Sequence, residues 1–169
     1  NILSGNTTNG LLLKGASATG ALVLGNTIGT DLTGTLDMGN TLAGVALDGI
    51  NGATIGGTSA GSGNLISGND DQGIYVATDA NNNIIRGNRI GTNAAGTAAL
   101  GNGSIGISIY DRCDGNIIGG TSAGAGNLIS GNSGSGMLID QDCTGNQVLG
   151  NRIGLNTAGT AALANGGDG

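Results

Sequence analysis

Apolar residues in this 169-residue chain come in short runs, bounded on both sides by Gly and Asn. Five of them open on a Gly in the order Gly-apolar-x-apolar, at Gly10, Gly44, Gly73, Gly106 and Gly136. The intervals between these anchors are 34, 29, 33 and 30 residues, a long–short alternation. Strict alternation over so few positions predicts strands, not helices, with one face apolar. Leu11/Leu13, Val45/Leu47, Ile74/Val76, Ile107/Ile109 and Met137/Ile139 share that face and are expected to point inward.

Two more strand signals follow within each unit. About ten residues past the anchor come Ala53-Thr-Ile-Gly, Asn83-Ile-Ile-Arg, Asn116-Ile-Ile-Gly and Asn146-Gln-Val-Leu. Before the next anchor stands either Asn-Arg-Ile-Gly, at Asn88 and Asn151, or Asn-Leu-Ile-Ser, at Asn64 and Asn127. The heptapeptide Gly-Asn-Leu-Ile-Ser-Gly-Asn occurs at Gly63–Asn69 and Gly126–Asn132, with a near copy at Asn1–Asn6. Asn1, Asn64 and Asn127 are therefore 63 residues apart, so the chain is an internal repeat. Three short strands every thirty or so residues predict an all-β parallel β-helix of about five coils, each too small to bury its own apolar face. An antiparallel sandwich of short strands does not account for the fixed register.

Length variation is confined to two loops. Gly29–Asn40, Gly91–Asn102 and Gly154–Asn165 form one family, and Gly56–Gly63 and Gly119–Gly126 the other. Their sameness reads as structural. The chain begins and ends within the repeat, which predicts a single β-helix segment, residues 1–169, of a longer or self-stacking polypeptide.

Composition sharpens this picture. Gly is 38 of 169 residues and Pro is absent, so the high Gly is not that of collagen. All eleven acids are Asp, and the net charge of −6 argues against a nucleic-acid partner. No apolar run approaches the length of a membrane span. Only Tyr75 and Tyr110 are aromatic, and there is no His.

Four residues before each anchor position stands an Asn: Asn6, Asn40, Asn69, Asn102, Asn132 and Asn165. Stacked coils would bring these amides into one hydrogen-bonded ladder of the kind seen in cross-β assemblies. Cys113 and Cys143 both lie seven residues past their anchors. Adjacent coils would place them within disulfide reach, and two buried free thiols are the equal alternative. Asp111, Asp114, Asp140 and Asp142 gather after the anchor strands. Their oxygens would suit calcium, against the plainer reading of a solvated acidic edge partly offset by Arg112. Arg89 and Arg152 recur with the repeat, and Thr27 takes their place in the first copy.

The run Gly87–Asn102, then Gly106-Ile-Ser-Ile, then Asn116–Asn132, resembles the right-handed parallel β-helix repeats of long bacterial surface or secreted proteins, which are pectate-lyase-like in fold. The resemblance implies a right-handed coil, an extracellular or cell-surface location and a role in surface architecture or adhesion; strand edges without capping repeats add the expectation of a non-enzymatic filament, sheath or stalk, with no catalytic residues. The implied partners are copies of the chain and cell-surface or matrix glycans. The alternative is a polysaccharide lyase or hydrolase on acidic glycans, for which Asp111, Arg112, Asp114, Asp140 and Asp142 form the candidate cluster. The Gly-His-Gly motif of polygalacturonase-type hydrolases is absent. Fold alone does not choose between these readings.

Overall fold

In the computed structural model, which describes residues 1–169, the chain is all-β and winds as a parallel β-helix of three sheets. The anchor sheet has five strands, Leu11–Lys14, Val45–Asp48, Ile74–Ala77, Ile107–Ile109 and Met137–Ile139. A middle sheet also has five: Leu22–Val23, Thr54–Ile55, Ile84–Ile85, Ile117–Gly119 and Gln147–Leu149. The return sheet has six: Ile2–Leu3, Thr27–Ile28, Leu65–Ile66, Arg89–Ile90, Leu128–Ile129 and Arg152–Ile153. Successive strands of the chain visit the three sheets in turn, and every pairing within a sheet is parallel and in register. No helix is long and apolar enough to cross a membrane.

The expected inward residues are inward. Val45, Leu47, Ile74, Val76, Ile107 and Ile109 are fully buried, while Leu11, Leu13, Met137 and Ile139 close the core at its two ends. The return sheet contributes Ile28, Ile66, Ile90 and Ile129, and the middle sheet Val23, Ile55, Ile85 and Ile118. Each such β-branched side chain removed from water contributes about 2–3 kcal/mol. β-Branched residues recur because a pleated, half-buried surface suits their stiff χ1.

The strands are too short to hold the column by backbone pairing alone, and asparagine fills the corners. In the ladder Asn6–Asn40–Asn69–Asn102–Asn132–Asn165, each Nδ2 donates to the Oδ1 of the next amide at 2.7–3.0 Å. The same Oδ1 also accepts the preceding residue's backbone N–H, as Asn132 does from Asn102 at 3.3 Å. The second Nδ2 hydrogen reaches back to a strand carbonyl, Ile66 O for Asn102 at 3.1 Å. All polar atoms of such a buried amide are thereby used.

Two further ladders were written in the sequence only as strand starts. Asn1–Asn26–Asn64–Asn88–Asn127–Asn151 precedes the return sheet, with steps of 25, 38, 24, 39 and 24 residues. Asn83–Asn116–Asn146 precedes the middle sheet, and Ala53 N–H donates to its first member. The uneven steps follow the loop families, so an insertion in a coil leaves the corners aligned.

The ladder also explains the anchor glycines, none of which has a positive φ. A Cβ on Gly106 would meet Gly136 O at 2.5 Å, Ile129 Cγ2 at 2.7 Å and Asn132 Nδ2 at 2.9 Å. Gly10, Gly44 and Gly73 meet the equivalent three groups. Space, not backbone conformation, excludes a side chain there.

Long loops form a column of their own. Ala94 N–H donates to Gly34 O at 2.9 Å, and Thr157 N–H donates to Gly96 O at 2.8 Å, across the intervening short coil. Within each loop one side chain closes the turn: Asp31, Asn93 or Asn156 accepts two backbone N–H groups from four and five residues on. The Asp31 carboxyl is held far below the usual carboxylate range, first by the Thr33 hydroxyl and then by the backbone N–H groups of Leu36 and Thr35.

Asn102→Ala should lower stability by about 3 kcal/mol, because four buried groups each lose a hydrogen bond at once. Asn93→Ala, on an exposed loop, should cost under about 1 kcal/mol. Urea unfolding of the two variants checks this, and equal midpoint shifts would remove the ladder from the explanation. Gly106→Ala should cost about 1–3 kcal/mol by overpacking, read in the same titration.

Candidate functional site

Where the anchor sheet turns into the middle sheet, the chain adopts an unusual conformation. Thr78-Asp79, Asp111-Arg112 and Gln141-Asp142 are consecutive pairs of left-handed residues, with φ between 55° and 62°. Earlier coils use Gly15 and Gly49 at this corner. For Thr78, β-branched, the left-handed region is strained. Cross-coil bonds hold the pairs in place: Asp79 N–H donates to Asp111 O at 3.0 Å and Arg112 N–H to Gln141 O at 3.1 Å.

The acidic residues expected here are at this corner, but they do not converge. No three ligating side chains come together in a way that could hold a metal ion. Asp114 Oδ1 accepts the N–H and hydroxyl of Thr144, at 2.6 and 2.9 Å. It continues a minor ladder in which Asn51 accepts from Asn81, and Asn81 from Asp114. Asp140 accepts the N–H of its neighbour Gln141 at 2.7 Å. Asp111 lies 2.7 Å from the Arg112 guanidinium, which also holds Asp79 at 3.2 Å. Asp111, Asp114, Asp140 and Asp142, expected to gather as a calcium site, thus share a corner without converging: Asp111, Asp114 and Asp140 each serve a separate partner.

Of the two readings of the cysteines, the structure has free thiols, Cys113 buried and Cys143 partly exposed. They do stack in adjacent coils, as expected. Ala80 N–H donates to Cys113 Sγ at 3.2 Å, and Cys113 N–H to Cys143 Sγ at 3.3 Å. Sulfur thus serves as the corner acceptor that asparagine oxygen supplies elsewhere. Burial pushes the Cys113 thiol up to about 11, outweighing the Ala80 hydrogen bond.

Beside this corner, the outer face of the anchor sheet is concave. The in-register row Leu12, Ala46, Tyr75, Ser108 and Leu138 forms its floor. A recess of about 480 Å³ is lined by Leu12, Leu42, Ala46, Asp48 and Tyr75 among others. It continues past Gln72 and Tyr75 to Tyr110, Asp111 and Gln141. Both tyrosines of the protein are here, their rings 6.3 Å apart and tilted by 45°. Burial raises the Tyr75 phenol, reinforced by the Asp111 charge and Tyr110. Lys14 pairs with Asp48 at 2.7 Å and holds that carboxyl below its ordinary value, with help from the Thr78 side chain. Ser108 Oγ is buried on the floor with no hydrogen-bond partner.

No protein-family model, curated protein or solved structure matches this chain. The chemistry of the recess must be read from its own residues. Aromatic faces beside amides and carboxylates suit a hydroxyl-rich surface, with ring faces for apolar patches and oxygens for hydroxyls. Arg112, the cation of the candidate lyase cluster, is committed to two carboxylates, which raise its pKa further, Asp79 by hydrogen bond foremost. Sequence reasoning placed the Asp edge but did not assign the tyrosine pair, which lies 35 positions apart along the chain and meets only through the 33-residue coil step.

The raised Cys113 thiol has a definite sign. The folded state keeps this proton more tightly than the unfolded one, so stability should fall as pH rises from 9 towards 11. Cys113→Ala should flatten that fall in urea midpoints measured across the interval. At pH 8 a thiol reagent should label Cys143 first and Cys113 only on unfolding.

Proposed function

We propose that this chain is an extracellular structural or adhesive β-helix, a segment of a filament, sheath or surface stalk that grows by stacking coils. The polarity of the asparagine ladders supports the reading most directly. In every step the donor lies in the earlier coil and the acceptor in the later one. Each face of a coil is thus one-sided: amide oxygens on one, amide N–H groups on the other. A coil added at either face, from the same polypeptide or from another copy, meets its complement. Such a head-to-tail contact is heterologous and open. An unpaired parallel edge favours it further.

Placement at the cell surface or outside it draws on the resemblance to bacterial surface repeats. The scaffold has few charged residues, a continuous core and corner amides that are almost all paired, properties that suit a passive load-bearing rod. A lyase or hydrolase on acidic glycans is the second reading, because the tyrosine recess beside Asp111 is the one place that combines aromatic and carboxylate groups.

Sedimentation and negative-stain microscopy of the purified chain test the first reading. Rods that lengthen with concentration are expected. The double variant Asn151→Asp/Asn165→Asp, which sets carboxylates where amide donors face the next coil, should stay short. Rods of one length at every concentration would argue against self-stacking. Release of unsaturated or reducing ends from polygalacturonate, abolished by Asp111→Asn, would instead favour the enzyme.

A further inference from the structure

The outer face of the return sheet carries a second groove that the readings above do not use. Its floor is the in-register row Thr27, Leu65, Arg89, Leu128 and Arg152, since the alternate positions Ile28, Ile66, Ile90 and Ile129 are buried in the core. The two loop families form its walls. On one side, the long loops pack close over the floor: a Cβ on Gly96 would meet Leu128 Cδ2 at 2.8 Å and Thr157 Cβ at 2.9 Å. On the other stand the Gly-rich loops that carry Thr58, Ser59, Thr121 and Ser122.

Three concavities join along this face. The central one, about 290 Å³, contains both Arg89 and Arg152, and its neighbours on either side share one arginine each. The charge pattern here is decisive. The chain has eleven carboxylates and five cations, yet none of the residues lining these three concavities is acidic. Lys14 and Arg112 are ion-paired at the opposite corner, whereas Arg89 and Arg152 are exposed and their side chains make no ion pair or hydrogen bond with the protein. Their guanidinium donors are free for a ligand.

We propose that this groove binds a linear acidic glycan lying along the axis of the coil. Arg89 and Arg152 are two strand spacings apart, which sets charged groups on the ligand about 10 Å from one another. A guanidinium is the fork that pairs with a carboxylate or sulfate in two parallel hydrogen bonds. Between the charges the walls offer hydroxyls of Thr58, Ser59 and Thr157, which suit ring hydroxyls. No aromatic side chain lines the groove, so it lacks the stacking platform that single-stranded nucleic acid uses. The proposal supplies a ligand class for the adhesive reading and takes its biological setting from it. Filament growth reads the coil faces and glycan binding reads a lateral groove, so either can fail alone.

Fluorescence anisotropy with labelled heparin and labelled polygalacturonate oligosaccharides provides the test, on the native chain at low and physiological salt. Saturable binding is expected, weakened by salt as exposed charges are screened. Arg89→Gln/Arg152→Gln should weaken it at least tenfold. Lys14→Gln, which removes a cation from the opposite corner, should leave it within twofold. Arg89→Lys/Arg152→Lys should recover part of the loss. Neutral dextran should not compete. Unchanged affinity in the double glutamine variant would overturn the proposal, and so would the absence of binding to either polymer. Equal, arginine-dependent affinity for single-stranded DNA or for anionic vesicles would overturn the assignment to glycans.

Discussion

The structure depends on one requirement: a buried amide must have all its hydrogen bonds made. Strands of two to four residues cannot by themselves fix the height and rotation of one coil on the next. Asparagine can, because its oxygen takes two donors and its nitrogen gives two protons in a plane. At the corners each amide joins its neighbour above, the backbone of the same corner, and the strand carbonyl below. An Asn left without that neighbour would bury several unpaired groups, and the penalty falls steeply on any slip in register. Glycine at the anchors is the steric counterpart, keeping the ladder close enough to form.

This division of labour explains how the loops vary without disturbing the core. Steps of 24 and 39 residues close on the same ladder, since only corner geometry enters the bond and not the path between corners. Left-handed turns at the anchor-to-middle corner follow the same logic. Glycine takes them in the first two coils, and later coils accept backbone strain there in exchange for side chains such as Asp111 and Arg112.

Much of the fold was legible because the repeat is exact at the positions that matter physically. Anchor glycines, the alternating apolar pairs and the Asn four residues earlier all recur, so each could be given a place in a coil. The second and third ladders escaped notice since Asn26, Asn88 and Asn116 begin strands and read as punctuation. At Cys113 and Cys143 the sequence showed proximity correctly but not role: a sulfur replacing an amide oxygen is invisible until the corner acceptor is known. The acidic edge misled for a related reason. Stacking brings residues to the same corner, but whether their oxygens converge depends on the turn, and here Asp114 faces Thr144 while Asp140 serves its own neighbour. The grooves were the least legible features, because each draws its lining from three or more coils.

The column of long loops carries one consequence for how such a molecule can change in length. Gly34 reaches Ala94, and Gly96 reaches Thr157, only because a short coil separates each pair. Excising a single coil would leave the corner amides able to re-pair, yet it would set two long loops on adjacent coils or leave two short coils between them. Gain or loss of coils in pairs preserves both columns. Duplication and recombination in a gene of this kind should therefore proceed by an even count, with the coil pair as the heritable unit.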